Sequence, residues 1–346
     1  MRRKFGQRLN LRDGSVDMTH GSGGRAMAQL VEELFLARFD NQWLARGNDQ
    51  AAFEVAPGRM VMSTDAHVIS PLFFPGGDIG SLSVHGTIND VAMSGAHPLY
   101  LSAAFILEEG FPLKDLERIV TSMAAAADQA GVPVVTGDTK VVERGKGDGI
   151  FITTTGVGKV PAGVDISADR ARPGDAILVS GSLGNHGVAI MSSREGLAFD
   201  TTIESDSAAL HTLVADMVAA VPGIHCLRDP TRGGLATTLN ELAQQSSVGM
   251  QLVEAAIPVE EQVQGACELL GLDPLYVANE GKLVCICDAG DAERLLGVMR
   301  RHPLGEKAAI IGEVVADDAF LVQMRTRFGG NRVVDWLAGE QLPRIC

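Results

Sequence analysis

Two apolar runs in this chain end on an aspartate, and this limits the possible folds more than anything else in the sequence. Met60-Val61-Met62-Ser63-Thr64-Asp65 and Val132-Pro133-Val134-Val135-Thr136-Gly137-Asp138 are short and mostly apolar or β-branched. Both read as strands that deliver a carboxylate to a sheet end. Around them, helical periodicity over 79–93 and 113–130 alternates with strand-like runs over 100–107 and 150–157. A polar, Gly/Pro-punctuated stretch over 161–173 interrupts the pattern. The alternation resumes with strands over 176–180, 250–253, 283–287 and 308–315, and helices over 207–221, 233–245, 259–270 and 291–301. Interleaved elements on both sides of one break favour two α+β domains in tandem over one large doubly wound sheet. The expected division is a lead with a glycine-rich loop at 1–42, a first domain at 43–160, a second at 161–328 and a tail at 329–346.

With 346 residues the chain can bury two separate cores. Aromatic residues make up only 5% of it against 46% hydrophobic, which suits an α/β or α+β enzyme better than an aromatic-rich binding module. A formal charge of −14 argues against nucleic-acid and acidic-membrane surfaces, although a cation can still bridge such a protein to ATP. No apolar run is long enough to span a bilayer, and the basic start Met1-Arg2-Arg3-Lys4-Phe5 lacks an apolar signal core behind it. A cytoplasmic protein is expected. Cys226, Cys267, Cys285, Cys287 and Cys346 have no disulfide-framework spacing, and Cys285 and Cys287 read as buried strand residues.

The last residue is the odd one. Gly339-Glu340-Gln341-Leu342-Pro343-Arg344-Ile345-Cys346 predicts a flexible joint, a stiff extended tip and a thiol at its end. With nothing after it to pack against, Cys346 is expected to stay out of the core. Taken alone, a chance ending on a frayed tail accounts for it. It is not a prenylation box, where the cysteine stands fourth from the end.

The remaining motifs are acidic or glycine-rich. His20-Gly21-Ser22-Gly23-Gly24-Arg25 opens an amphipathic helix and is either a flexible linker or an anion cradle; it lacks the Gly-Lys-Ser/Thr ending of a Walker loop. Asp65, Asp90, Asp138 and Asp229 each end an apolar run or adjoin glycine. Singly they are turn formers or caps; together they suit Mg²⁺, which takes one or two carboxylates plus phosphates. On the helix His85-Gly86-Thr87-Ile88-Asn89-Asp90-Val91-Ala92-Met93, His85 and Asn89 share a face, with Gly86 and Asp90 in the next row. That helix can bury Val84, Ile88 and Val91 and still present polar groups to a site. Lys140 is either a solvated strand-end lysine or a phosphate ligand or base. Glu280, in Ala278-Asn279-Glu280-Gly281-Lys282, is turn-like by composition.

Together these motifs resemble the ATP-binding superfamily that includes aminoimidazole ribonucleotide synthetase, selenide water dikinase and thiamine-monophosphate kinase. Within it the resemblance is closest to HypE, the carbamoyl dehydratase family of hydrogenase maturation. It rests on the glycine loop, Ser63-Thr64-Asp65, the Gly86 to Met93 helix and Gly137-Asp138-Thr139-Lys140-Val141-Val142. It continues through Arg228-Asp229-Pro230-Thr231-Arg232-Gly233-Gly234, Asn279-Glu280-Gly281 and Pro343-Arg344-Ile345-Cys346, the last being the part specific to that family.

The resemblance implies a two-domain α+β subunit of aminoimidazole ribonucleotide synthetase-like architecture with a flexible C-terminal tail, paired in a homodimer. It implies ATP and Mg²⁺ as cofactors, with Asp65, Asp90 and Asp229 on the metal. Gly21, Gly23, Gly24, Asn89, Asp138 and Thr139 would contact the nucleotide. Cys346 would accept a carbamoyl group from the carbamoyltransferase HypF. ATP-driven dehydration would give a thiocyanate, with Lys140 and Glu280 removing the nitrogen protons, and the cyano group would pass to the HypC–HypD complex. A selenide water dikinase would carry its reactive residue near the N-terminus, where this chain has no cysteine before Cys226. A small-molecule kinase or synthetase of the superfamily, or a carbamoyl carrier that does not dehydrate, are the alternatives.

Overall fold

The computed structural model describes residues 8–22, 24–46, 48, 50–196, 203–337 and 344–346. Two large sheets, each with its own helices, divide the chain, and a two-stranded ribbon adds a third, small sheet. The first unit begins with a helix in two pieces, α1 (Arg25–Leu30) and α2 (Leu36–Phe39), joined by a π turn over Val31–Phe35. Its elements continue as β1 (Met60–His67), the two-residue strands β2 (Phe73–Phe74) and β3 (Gly77–Asp78), α3 (Ile79–Ala92), β4 (His97–Glu108), α4 (Leu113–Ala130), β5 (Val134–Val142) and β6 (Ile150–Lys159).

The main sheet runs β1-β6-β4-β5, with only β4 and β5 parallel, as a strand–helix–strand crossover through α4 requires. Period-2 patterning gives it one packed face. Leu101, Ala103, Phe105, Ile150 and Ile152 point inward onto the helices, where the Phe35 and Phe105 rings lie 4.9 Å apart. The other face is open and carries Met60, Met62 and Ile106, with Met62 72% exposed.

α3 differs from the expected amphipathic helix. Asp78 caps it through the backbone N–H groups of Gly80 and Ser81, and it is buried almost all round between the sheet, α4 and the second unit. Gly86 is the reason it can lie so close to β1: a Cβ there would sit 3.2 Å from the His67 ring and 3.5 Å from Asp65 Oδ2. The strand, not a ligand, takes the space its missing side chain leaves.

The second unit comprises β7 (Ala176–Val179), α5 (Asn185–Glu195), α6 (His211–Ala220), β8 (Cys226–Arg228), α7 (Gly234–Ser246), β9 (Gly249–Val253), α8 (Glu261–Leu270), β10 (Val284–Cys287), α9 (Ala292–Met299), β11 (Ala309–Val315), β12 (Val322–Arg325) and β13 (Asn331–Val333). Its sheet runs β13-β12-β9-β11-β7-β10-β8. Every residue of β7 and β10 is buried, including Cys285 and Cys287, as central strands covered on both faces require. The sequence pattern does not reveal α5, whose mixed composition has no clear apolar stripe, or the three-residue β8. Both turn out to border the functional cleft. Among the described residues no helix is long and apolar enough to cross a membrane.

Candidate active site

The sequence places Asp65 and Asp90 25 residues apart and Asp229 far beyond both, yet the fold gathers them into one cleft between the two units. β1 points Ser63, Asp65 and His67 towards α3, and Ser63 Oγ donates to Asp90 Oδ2 at 2.7 Å. The loop after β8 brings in Asp229. Its Gly233 and Gly234 have φ of +77° and +60°, and a Cβ on Gly234 would lie 2.6 Å from the carbonyls of Leu275 and Val277. Only glycine lets this loop press onto the segment that leads to Glu280. Asn279 completes the join, donating to the Pro230 carbonyl at 3.0 Å and accepting from Gly184 N–H at 2.8 Å.

These carboxylates act on one another. Burial, and then Asp90 and Asp65, push Asp229 up to about 7. Burial and Asp65 also raise Asp90, against the pull of the Ser63 hydroxyl. Glu280 is also raised well above the usual carboxylate range, by burial first and then by the charges of Asp229, Asp206, Asp65 and Asp90; its Oε1 has no hydrogen-bond partner. Clustered carboxylates of this kind are the donor set of a hard dication. Among the described residues, no three His, Cys, Asp or Glu side chains close on one point by themselves, so further oxygens are needed, as phosphate groups would supply.

The tail enters the same cleft. Arg344, Ile345 and Cys346 lie antiparallel to residues 68–70, with Ile69 opposite Ile345. Ile345 is 3% exposed and joins the core of the first unit, and Cys346 packs against that core. The expectation that the terminal cysteine stays outside is therefore overturned: a groove beyond β1 supplies the packing that the chain end cannot. Burial, followed by the Glu280 charge, raises the thiol well above its ordinary range, while Arg232 opposes this. Gly339 and Pro343, expected as joint and stiff tip, lie outside the described residues.

Not every expected residue converges. Asn89 is 1% exposed, and its amide is used up on the second unit: it donates to the carbonyls of Ala208 and Glu280 and accepts from Leu210 N–H at 2.7 Å. It stitches the two units together and has no free donor for a phosphate. Asp138 and Lys140 form an exposed ion pair of 3.2 Å on the outer face of β5, with side chains 57% and 64% exposed. The register runs Asp138, Ala104, Thr153, Ala66 across four strands, so Asp138 stands three strand spacings, ~14 Å, from Asp65's neighbour and on the opposite face from Asp65. Lys140 is thus not beside Glu280 within one chain, because alternation along β5 turns it outward.

Thr139 is buried on the inner face; with Gly137 and Asp138 it borders a cavity of about 120 Å³ under Val31, Phe35 and Phe39. Gly21 lies against this same strand, where a Cβ would be 2.7 Å from Val141 N, and Gly24 caps α1. Gly23 lies outside the described residues.

Sequence reasoning missed several neighbours. His67 is buried between Thr154 Oγ1 (3.3 Å) and Asp65 Oδ2 (3.7 Å), and its Nδ1 is unpartnered. Burial lowers its pKa, which favours the neutral ring. Asp206 accepts from the backbone N–H groups of Glu280 and Gly281 and pairs with Lys282 at 3.1 Å, which anchors the Glu280 turn. Its position in a polar stretch before α6 carries no motif that would single it out.

The chain matches the AIR synthase related protein models, the N-terminal domain over residues 47–160 and the C-terminal domain over 172–324. It is 74% identical over 339 residues to the carbamoyl dehydratase HypE of Cupriavidus necator, covering 98% of this chain and 97% of that protein. A crystal structure of the hydrogenase maturation protein HypE in complex with ATP superposes with a TM-score of 0.92 at 54% identity, covering 95% of this chain and 99% of the other. A HypE–HypF complex structure matches with a TM-score of 0.79 at 49% identity, covering 89% and 99% of the two chains.

Proposed function

This chain belongs to the AIR synthase related family and, within it, to the HypE carbamoyl dehydratases; from that premise we propose that it dehydrates an S-carbamoyl group on its own Cys346 to a thiocyanate, at the expense of ATP. One observation carries this reading. The terminal thiol lies against residues 68–70, where the charges of Glu280, Asp65 and Asp229 act on it, and this supports reading it as a tethered substrate.

An amide oxygen is a poor leaving group. In the docked tail the carbamoyl oxygen attacks the γ-phosphorus of ATP, ADP leaves, and one nitrogen proton is lost. The C–O bond then breaks with departure of phosphate as the second nitrogen proton leaves, and the C≡N bond forms. Glu280 is the base we assign to that proton removal. Its buried, unpartnered oxygen and raised proton affinity suit a carboxylate that must take a proton from a weak acid. Asp65, Asp90 and Asp229 would hold Mg²⁺, which when bound offsets the charge of the transferring phosphoryl group.

Asp138, Thr139, Lys140 and Gly21 gather on and around β5, away from this cleft. We assign Asp138 and Lys140 to the junction of a homodimer in which the open sheet face of one copy meets that of another. The apolar side chains of Met60, Met62 and Ile106 on that face support it. HypF is the carbamoyl donor and the HypC–HypD complex the cyanide acceptor in this scheme.

Mass spectrometry tests the reading. With ATP, Mg²⁺, carbamoyl phosphate and the carbamoyltransferase, Cys346 should gain a carbamoyl group and then lose one water. A carbamoyl group that persists unchanged in Mg-ATP would overturn dehydration and leave a carrier.

A further inference from the structure

The three tail residues have little structure of their own, so their order must come from what grips them. A main-chain oxygen of each of the three is held. Val68 N–H donates to a main-chain oxygen of Cys346 at 3.0 Å, and Ser70 N–H to the Arg344 carbonyl at 3.1 Å. His186, fully buried on the first turn of α5, reaches the Ile345 carbonyl through Nε2 at 2.8 Å. A carbonyl only accepts, so Nε2 carries the proton, and Nδ1 accepts from Ser205 Oγ at 2.8 Å. Burial lowers the His186 pKa and keeps this neutral tautomer. On the last turn of α5, Arg194 donates to the carbonyls of Ser70 (2.7 Å) and Arg344 (3.0 Å), bridging the tail to the strand it pairs with.

Side chains then add identity to a register set by the main chain. Ile345 fills an apolar hole, and the Arg344 guanidinium pairs with Asp148 in the turn between β5 and β6. Arg344 adopts φ of +55°, a conformation that needs such anchoring. We propose that His186, Arg194 and Asp148 are positioning residues that hold the tail in register and so present Cys346 to the cleft. None of them touches the reacting atoms. The proposal rests on the reading of Cys346 as the tethered substrate, and the dehydration readout below depends on that reading.

Alkylation of Cys346 reports docking independently of any carbamoyl chemistry. Cys226, Cys267, Cys285 and Cys287 are all 0% exposed, so iodoacetamide followed by peptide mass spectrometry reads the terminal thiol selectively. In the full-length protein, Arg194→Ala should speed Cys346 alkylation about tenfold, the usual effect of losing a charge-assisted hydrogen bond. Single-turnover dehydration should slow by a similar factor, with ATP affinity and Tm near those of the parent. Asp148→Arg should also speed alkylation, and the double variant Asp148→Arg with Arg344→Asp should restore protection, which a merely structural role would not do. His186→Gln, which keeps an N–H donor, should lose less protection than His186→Ala.

Unchanged alkylation in Arg194→Ala, or failure of the charge swap to restore protection, would overturn the clamp. If alkylation responds as expected while the parent shows no loss of water from carbamoylated Cys346, the clamp stands and the dehydratase reading alone fails.

Discussion

The acidic cleft and the outer face of the first sheet share their strands but little else. On the inner side of β1, Asp65 meets Asp90, Asp229, Glu280 and the docked thiol, and burial keeps the proton affinities of Asp90, Asp229 and Glu280 high. On the outer side of β5, Asp138 and Lys140 neutralise one another in water, where an exposed pair contributes little. A strand alternates its side chains, so one sheet carries both environments a few residues apart. The difference teaches that similar strand-end aspartates acquire unlike chemistry from the face they occupy.

The largest test of that contrast removes the tail's thiol. Cys346→Ala should abolish carbamoyl uptake completely while ATP binding, followed by equilibrium titration, stays intact. An equal loss of ATP affinity would show that the thiol belongs to the nucleotide site as well. Next, Glu280→Gln should slow single-turnover dehydration by about 10²–10⁴-fold, the usual size of a general-base contribution. Lys140→Ala should cost less in the same assay. An equal fall for Lys140→Ala would erase the distinction between cleft and outer face and put the lysine in the chemistry.

Asp90→Asn should weaken ATP binding about tenfold in the presence of Mg²⁺ and less in its absence, read by calorimetry at several Mg²⁺ concentrations. Mg²⁺ dependence identical to the parent's would remove Asp90 from the metal set. The smallest expected change concerns the outer face. Met62→Arg should shift a dimer towards monomer by a few-fold in sedimentation velocity, since it places a charge on the apolar patch. An unaltered association state would free that face for another role.

Much of the cleft is legible because its residues sit in short motifs with local geometry. Asp65 ends a recognisable strand, and Gly233-Gly234 marks a turn that only glycine can make. Glu280 is less legible, since its burial comes from contacts with Asp206 and Asn89, distant in sequence. Asn89 misleads for the same reason: its position next to Asp90 suggests a ligand contact, yet a one-residue turn of the helix aims it at the backbone of the second unit. The clamp residues His186 and Arg194 carry no signal at all, because α5 lacks an apolar stripe and its partners lie some 120 to 160 residues away.

The sequence alone determined the interleaved α+β elements, the two-unit division around one polar break, the family and the terminal cysteine as the group to explain. These follow from local periodicity and from residue types whose demands are met within a few neighbours. Tertiary structure decided which carboxylates share an environment, which face of β5 bears Lys140, and that Cys346 packs, partly buried, against the core. Burial and mutual charge depend on distances between residues far apart in the chain, and only the folded packing sets those distances.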